Sequence, residues 1–211
     1  MPTDTGSGTG TVVTSEAHRY ATVAELKAWL GITDATDDAL LGYCLDEACS
    51  DIDGHLGRFF YQTDAGTVKY YTATRSDVLY IDDCVSLTAV ETDDDGDRTY
   101  ENSWETTDYD LEPYNASDSD QPYTTLAVTP DGDYTFPAGV RKGVKLTGTW
   151  GWPKVPDAIA RAAVLRAAWI FKRKDSPLGM AGNSDLGVVR VGRYDSDFEK
   201  LTELFRRIVV A

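Results

Sequence analysis

The sequence predicts an α+β protein in which an N-terminal helix pair and long C-terminal helices surround a core, with an antiparallel β-region inserted between them. Three observations lead there. Apolar residues recur at the helical period between residues 22 and 57, the period becomes two between 68 and 150, and it turns helical again from 156. At 211 residues the chain is long enough for one domain with an insertion or arms, and too short for two full domains. The expected organisation is a flexible arm over 1–19, a main domain over 20–175, and a loop with a terminal helix over 176–211.

Thr22-Val23-Ala24-Glu25 is a T-x-x-E capping box opening a short helix over 22–30, and Gly31 closes it. A second helix spans 36–57. Thr36 is its expected N-cap, Asp37 and Asp38 complement its dipole, and Gly57 ends it. Leu41, Leu45, Ala48, Ile52 and Leu56 form one continuous stripe along it.

The β-region runs over about 62–150. Val68–Ala73, Val78–Ile81 and the alternation of Val85, Leu87 and Ala89 read as strands, and Asp95-Gly96 as a hairpin turn. Pro113 and the acidic loop after it limit Tyr109–Glu112 to a short edge strand. Leu126–Thr129 can pair again, and Val144, Leu146, Gly148 and Trp150 alternate with Lys145, Thr147 and Thr149. Pro156 or Asp157 then starts a third helix over 156–173. Its apolar residues leave almost no polar face beyond Arg161 and Arg166, which predicts burial on more than one side, in its own core or against a second subunit. Val188–Val191 reads as a short strand, and Phe198, Leu201, Leu204, Phe205 and Ile208 as the stripe of a terminal helix.

Composition removes several function classes. The net charge of −15, from 35 acidic against 20 basic residues, opposes phosphate-driven binding of nucleic acid over the whole surface. Three cysteines, Cys44, Cys49 and Cys84, make no disulfide framework and suggest a reducing compartment during synthesis. No apolar run reaches the ~18 residues of a membrane helix, and residues 1–14 lack the features of a signal peptide. Charge is polarised along the chain. Asp77–Asp120 holds fifteen acids and one base, Arg98, whereas Arg141–Lys174 holds nine bases and one acid, Asp157.

Catalytic parts are few. His18 and His55 sit in no metal or nucleophile motif, Cys44 and Cys49 face different sides of one helix, and no phosphate-cradling glycine loop is present. The reading is of no catalytic residue, no metal and no cofactor. Glu91-Thr92-Asp93-Asp94-Asp95-Gly96-Asp97 resembles half an EF-hand loop, but Asn102 stands where the bidentate glutamate belongs, so a solvated turn is expected. Trp150 and Trp152 fall at a spacing that points both to one face of a continuing strand, packed under the third helix. A carbohydrate- or surface-binding β-module using Trp104, Tyr109 and Tyr123 is the alternative function. An acidic DNA mimic is suggested by charge alone.

The assembled pattern adds to this. The segments Ala21–Leu30 and Asp38–Gly57, the β insertion, Gly143-Val-Lys-Leu-Thr-Gly-Thr-Trp-Gly-Trp-Pro153, Val155-Pro-Asp-Ala-Ile-Ala160 and the helix ending Phe171-Lys-Arg-Lys174 together resemble the head-tail connector, or adaptor, proteins of long-tailed double-stranded DNA phages. The resemblance covers about Ala21 to Ala211, including a Gly-Trp-x-x-Val-Pro junction. It implies a structural, non-enzymatic virion protein of the phage neck, assembled in the host cytoplasm as a ring of commonly twelve copies beneath the portal. Its implied partners are further copies of itself, the portal protein, and a downstream stopper or tail-terminator protein, with DNA passing through the lumen unbound. By the same analogy Ile159, Arg166, Trp169 and Ile170 make the ring interface, and Phe205, Arg206, Arg207, Ile208, Val209, Val210 and Ala211 dock the portal. A strongly negative ring would let DNA slide with little adhesion.

Overall fold

A computed structural model describes residues 18–174, 180–181, 189–190 and 196–207. Helix α1 (Val23–Leu30) carries the reciprocal capping box of Thr22 and Glu25, and Gly31 ends it in the left-handed conformation. Helix α2 (Asp38–Leu56) starts one residue later than expected. Asp37, rather than Thr36, is the N-cap and makes no side-chain capping bond, because Thr36 is drawn into a turn in which its own N–H donates to Asp34.

Strands β1 (Thr67–Tyr71), β2 (Val78–Thr92), β3 (Asn102–Ser103), β4 (Tyr109–Glu112), β5 (Tyr123–Val128) and β6 (Val144–Trp150) build one antiparallel sheet in the order β1-β6-β2-β5-β4, with β3 paired to β2. The two segments expected at 78–81 and 85–89 are one fifteen-residue strand. Its pairing shifts register at Tyr80/Cys84, Cys84/Ser86 and Leu87/Ala89, so bulges break the alternation that separated the two in sequence. The hairpin at Asp95-Gly96 is a longer loop across 93–101, returning at the Glu91↔Ser103 pair. β4 is an edge strand, as read. Helix α3 (Asp157–Arg173) follows the sheet. Next come a two-residue ribbon of β7 (Met180–Ala181) with β8 (Val189–Arg190), helix α4 (Ser196–Thr202) and a 3₁₀ turn over Glu203–Phe205.

Two cores result. The helical core joins Leu26, Leu41, Leu45, Ile52, Phe60, Ile159, Ala163 and Phe198, and the sheet core joins Leu79, Ile81, Val90, Trp104, Phe136, Leu146 and Trp150. The expectation that Trp150 and Trp152 share a face is corrected here. Gly151, at φ 106°, ends the strand, and a Cβ there would lie 1.8 Å from the Tyr61 carbonyl oxygen. The chain therefore turns between the tryptophans. Trp150 enters the sheet core, donating to the Thr67 carbonyl, and Trp152 enters the helical core, donating to Asp83.

Candidate assembly surfaces

Most of the apolar circumference of α3 is used inside the chain. α3 packs on α1, α2 and α4, and Ile159, Ala162, Ala163, Ala167 and Ala168 are buried. Ile159 is fully enclosed and does not reach the surface of a single chain. Arg166 crosses to α2, where its guanidinium holds Asp51 at 2.5 Å and 2.8 Å. Trp169 is flanked by the Arg166 and Arg173 guanidiniums, 4.5 and 4.7 Å from its ring. Trp169 and Ile170, both half-buried, line an open groove with Leu40 and Tyr43 of α2 and Phe171. Tyr43 is 72% exposed, and Trp29 on α1 is 54% exposed. Helical periodicity assigns Leu41 and Leu45 to the core. It gives no reason for large apolar side chains at Leu40 and Tyr43, on the outward flank, and that mismatch was the available signal for this surface.

The expected portal-docking residues divide at Arg207. Phe205 packs edge-on against Phe60 and Trp152. Arg206 lies 3.5 Å from His55. The backbone N–H of Arg207 donates to the Leu56 carbonyl, and its guanidinium donates to Asp82 at 2.7 Å and towards the Ile81 carbonyl. Ile208, Val209, Val210 and Ala211 lie outside the described residues.

Beneath Arg207 is a charge network joining the helical and sheet layers. Lys69 donates to Asp82 at 2.8 Å, and Tyr71 donates to the same carboxylate. Burial opposes ionisation of Asp82, but the hydrogen bonds from Lys69 and Arg207 outweigh it and hold its pKa below the usual value. Its neighbour Asp83 is raised by burial, although the Arg58 guanidinium lies 3.3 Å away and partly offsets this. A second buried node ties residue 20 to α2. The Tyr20 hydroxyl donates to Asp53 and accepts the Phe60 N–H, and burial raises Asp53 to about 6.

Other sequence candidates resolve into structural roles. Cys44, Cys49 and Cys84 are buried free thiols, and burial pushes Cys49 up to about 11 and Cys84 to about 12. Asp93, Asp95 and Asp97 do gather. Their oxygens accept backbone N–H groups of Gly96, Arg98, Asp97 and Thr99, as an ordinary acidic turn requires. Of the aromatic residues assigned to a sugar-binding face, Trp104 is 6% exposed, stacked on Phe136 and bonded to Thr92, while Tyr109 and Tyr123 pack against the sheet core. They form no exposed platform. His18 stacks on Tyr61. No helix among the described residues is long and apolar enough to cross a membrane.

Residues 20–87 match the family model described as phage gp6-like head-tail connector protein. No curated protein matches the chain. Two solved structures share the fold, each aligned over 90% of both chains. One is from the neck of an empty gene transfer agent (GTA) particle, solved with C6 symmetry, at 19% identity and TM-score 0.53. The other is from the virion of a native gene transfer agent particle, at 22% and 0.52. The resemblance to head-tail connectors read from the sequence is borne out over the helix pair and first strands by the family model, and the two solved structures share the fold over nine-tenths of the chain.

Proposed function

We propose that this protein is a structural virion component, a head-tail connector that assembles as a closed ring between the portal of a filled capsid and the tail, without catalysing a reaction. The observation that carries this is the coincidence of the family match over 20–87 with a fold shared, over 90% of the chain, with chains of gene transfer agent neck and virion particles. In this reading about twelve copies form the ring. Each subunit carries −15, so a lumen bearing part of that charge repels phosphates and lets DNA pass. The open groove of Trp169, Ile170, Leu40 and Tyr43 is the proposed inter-subunit contact on the helical side. Phe205 and Arg207 anchor the C-terminal segment to its own domain, so portal docking falls to Arg206 and to residues 208–211. The downstream partner is a stopper or tail-terminator protein.

Negative-stain imaging of the purified protein, alone and with portals, tests the reading. Closed rings that co-sediment with portals are expected. Trp169→Glu should abolish the rings at unchanged helical content, and rings that survive it would remove this groove from the contact.

A further inference from the structure

The sheet has two unpaired edges, and they differ in charge. At one end β4 presents Asp110 and Glu112 outward, followed by the exposed Tyr114 and by exposed Asp118 and Asp120. At the other end is β1, with Val68 40% and Tyr70 50% exposed on one face. Beside it Tyr70, Tyr100, Arg98 and Lys142 line an open cavity of about 270 Å³. Lys142 is exposed and makes no ion pair among the described residues, and the Arg98 guanidinium is held by the Arg141 carbonyl. Lys145 lies over the Tyr100 ring, 2.7 Å from Glu91. Among the described residues, no backbone group of 67–71 bonds outside the β1·β6 ladder except the Thr67 carbonyl, taken by Trp150. One edge is therefore acidic. Beside the other, over the sheet face that runs from β1 across β6 to β2, cations surround two tyrosine rings along the row Tyr70, Lys145 and Glu91.

We propose that these edges are the two halves of one head-to-tail contact, in which the β4 edge of one copy docks on the β1 edge of the next and places its carboxylates at Arg98 and Lys142. The inference rests on the ring reading and names a contact within it. A ring needs a heterologous contact between two different, complementary surfaces of the same chain. Opposite edges of a single sheet supply such surfaces, facing away from each other across the molecule. Strand edges carry matched rows of donors and acceptors, and opposite charges set across such a pair add specificity and suppress the like-to-like pairing of β1 with β1 or β4 with β4.

The test compares the full-length wild type with Arg98→Glu/Lys142→Glu, with Asp110→Lys/Glu112→Lys, and with all four changes combined, by sedimentation velocity at low and moderate salt. All four side chains are at exposed positions, and Arg98→Glu also removes the hydrogen bond to the Arg141 carbonyl, so rings are compared well below the melting temperature measured for each variant. Each double reversal should raise the dissociation constant of the ring at least about tenfold, and the fourfold variant should recover it. In parallel, Tyr70→Cys and Glu112→Cys proteins treated with a short bis-maleimide should give linked dimers only when mixed; the native thiols are buried. Rings unaffected by either reversal overturn the edge contact and leave the ring reading standing, and so does loss without recovery in the fourfold variant. A wild type that forms no rings, together with a mixture of the two cysteine variants that gives no cross-links, overturns both. If the charges serve only to keep edges apart, reversal leaves the rings unchanged.

Discussion

Gly151 is the point at which the chain passes from the sheet core to the helical core, and Gly151→Ala tests whether that passage is as tight as the geometry indicates. Its φ of 106° lies where side chains other than glycine are strained, at a cost of about 1–3 kcal/mol. A Cβ 1.8 Å from the Tyr61 carbonyl oxygen must also push two backbone segments apart by more than about 1 Å, and overpacking of this kind costs a further ~1–3 kcal/mol. Those segments are fixed. Gly151 donates its N–H to the Asp83 carbonyl at 2.7 Å, and Thr63 donates to the Trp150 carbonyl at 2.9 Å. The sum is about 4 kcal/mol, which for a chain of this size lowers the melting temperature by about 8–16 °C. Tryptophan fluorescence follows the unfolding directly, since Trp150 and Trp152 flank the substitution. Gly54→Ala is the internal control. That glycine is exposed within α2 with nothing within 4 Å of where a methyl group would stand, so alanine should stabilise by up to ~1 kcal/mol. A Gly151→Ala protein melting within 2–3 °C (about 1 kcal/mol) of the wild type would refute the reasoning.

Two further outcomes follow from the half-buried charges. Asp53 is raised to about 6 in the folded protein against an unfolded value near 4, so the folded state holds the extra proton between those values. Its contribution to stability is then present at about pH 4 and is lost as pH rises through about 6, by on the order of 1 kcal/mol once solvent screening is allowed for. Asp53→Asn should flatten that slope in chemical denaturation measured from pH 4 to 7, and an unchanged slope would count against it. Asp82 has the opposite sign, because its depressed pKa supplies stability above the unfolded value that is lost as pH falls. Arg207→Ala should cost about 1 kcal/mol at pH 7 and shrink the acid-induced loss, measured by chemical denaturation at pH 4 and pH 7.

Local patterns were legible wherever a residue's role depends on its chain neighbours. The Thr22–Glu25 capping box, the terminating Gly31 and Gly57, the stripe of α2, the edge position of β4 and the alternation of β6 were all readable, because helical and strand periods and cap chemistry act over a few residues. The α+β class followed from the order of those periods, and the head-tail connector resemblance followed from the order of the segments. Bulges hid the continuity of β2, since each shifts the alternation by one residue and mimics a turn. The separation of Trp150 from Trp152 was decided by the Tyr61 backbone packing on Gly151, a contact between segments ninety positions apart that no local pattern encodes. Likewise the apolar circumference of α3 indicated burial on several sides but not what covers them. Tertiary packing assigned most of it to α1, α2 and α4 and left Trp169 and Ile170 beside Leu40 and Tyr43 at the surface. Arg207 shows the same limit. Its charge is plain in the sequence, but its partner Asp82 lies 125 residues away, and only folding brings the two within 2.7 Å.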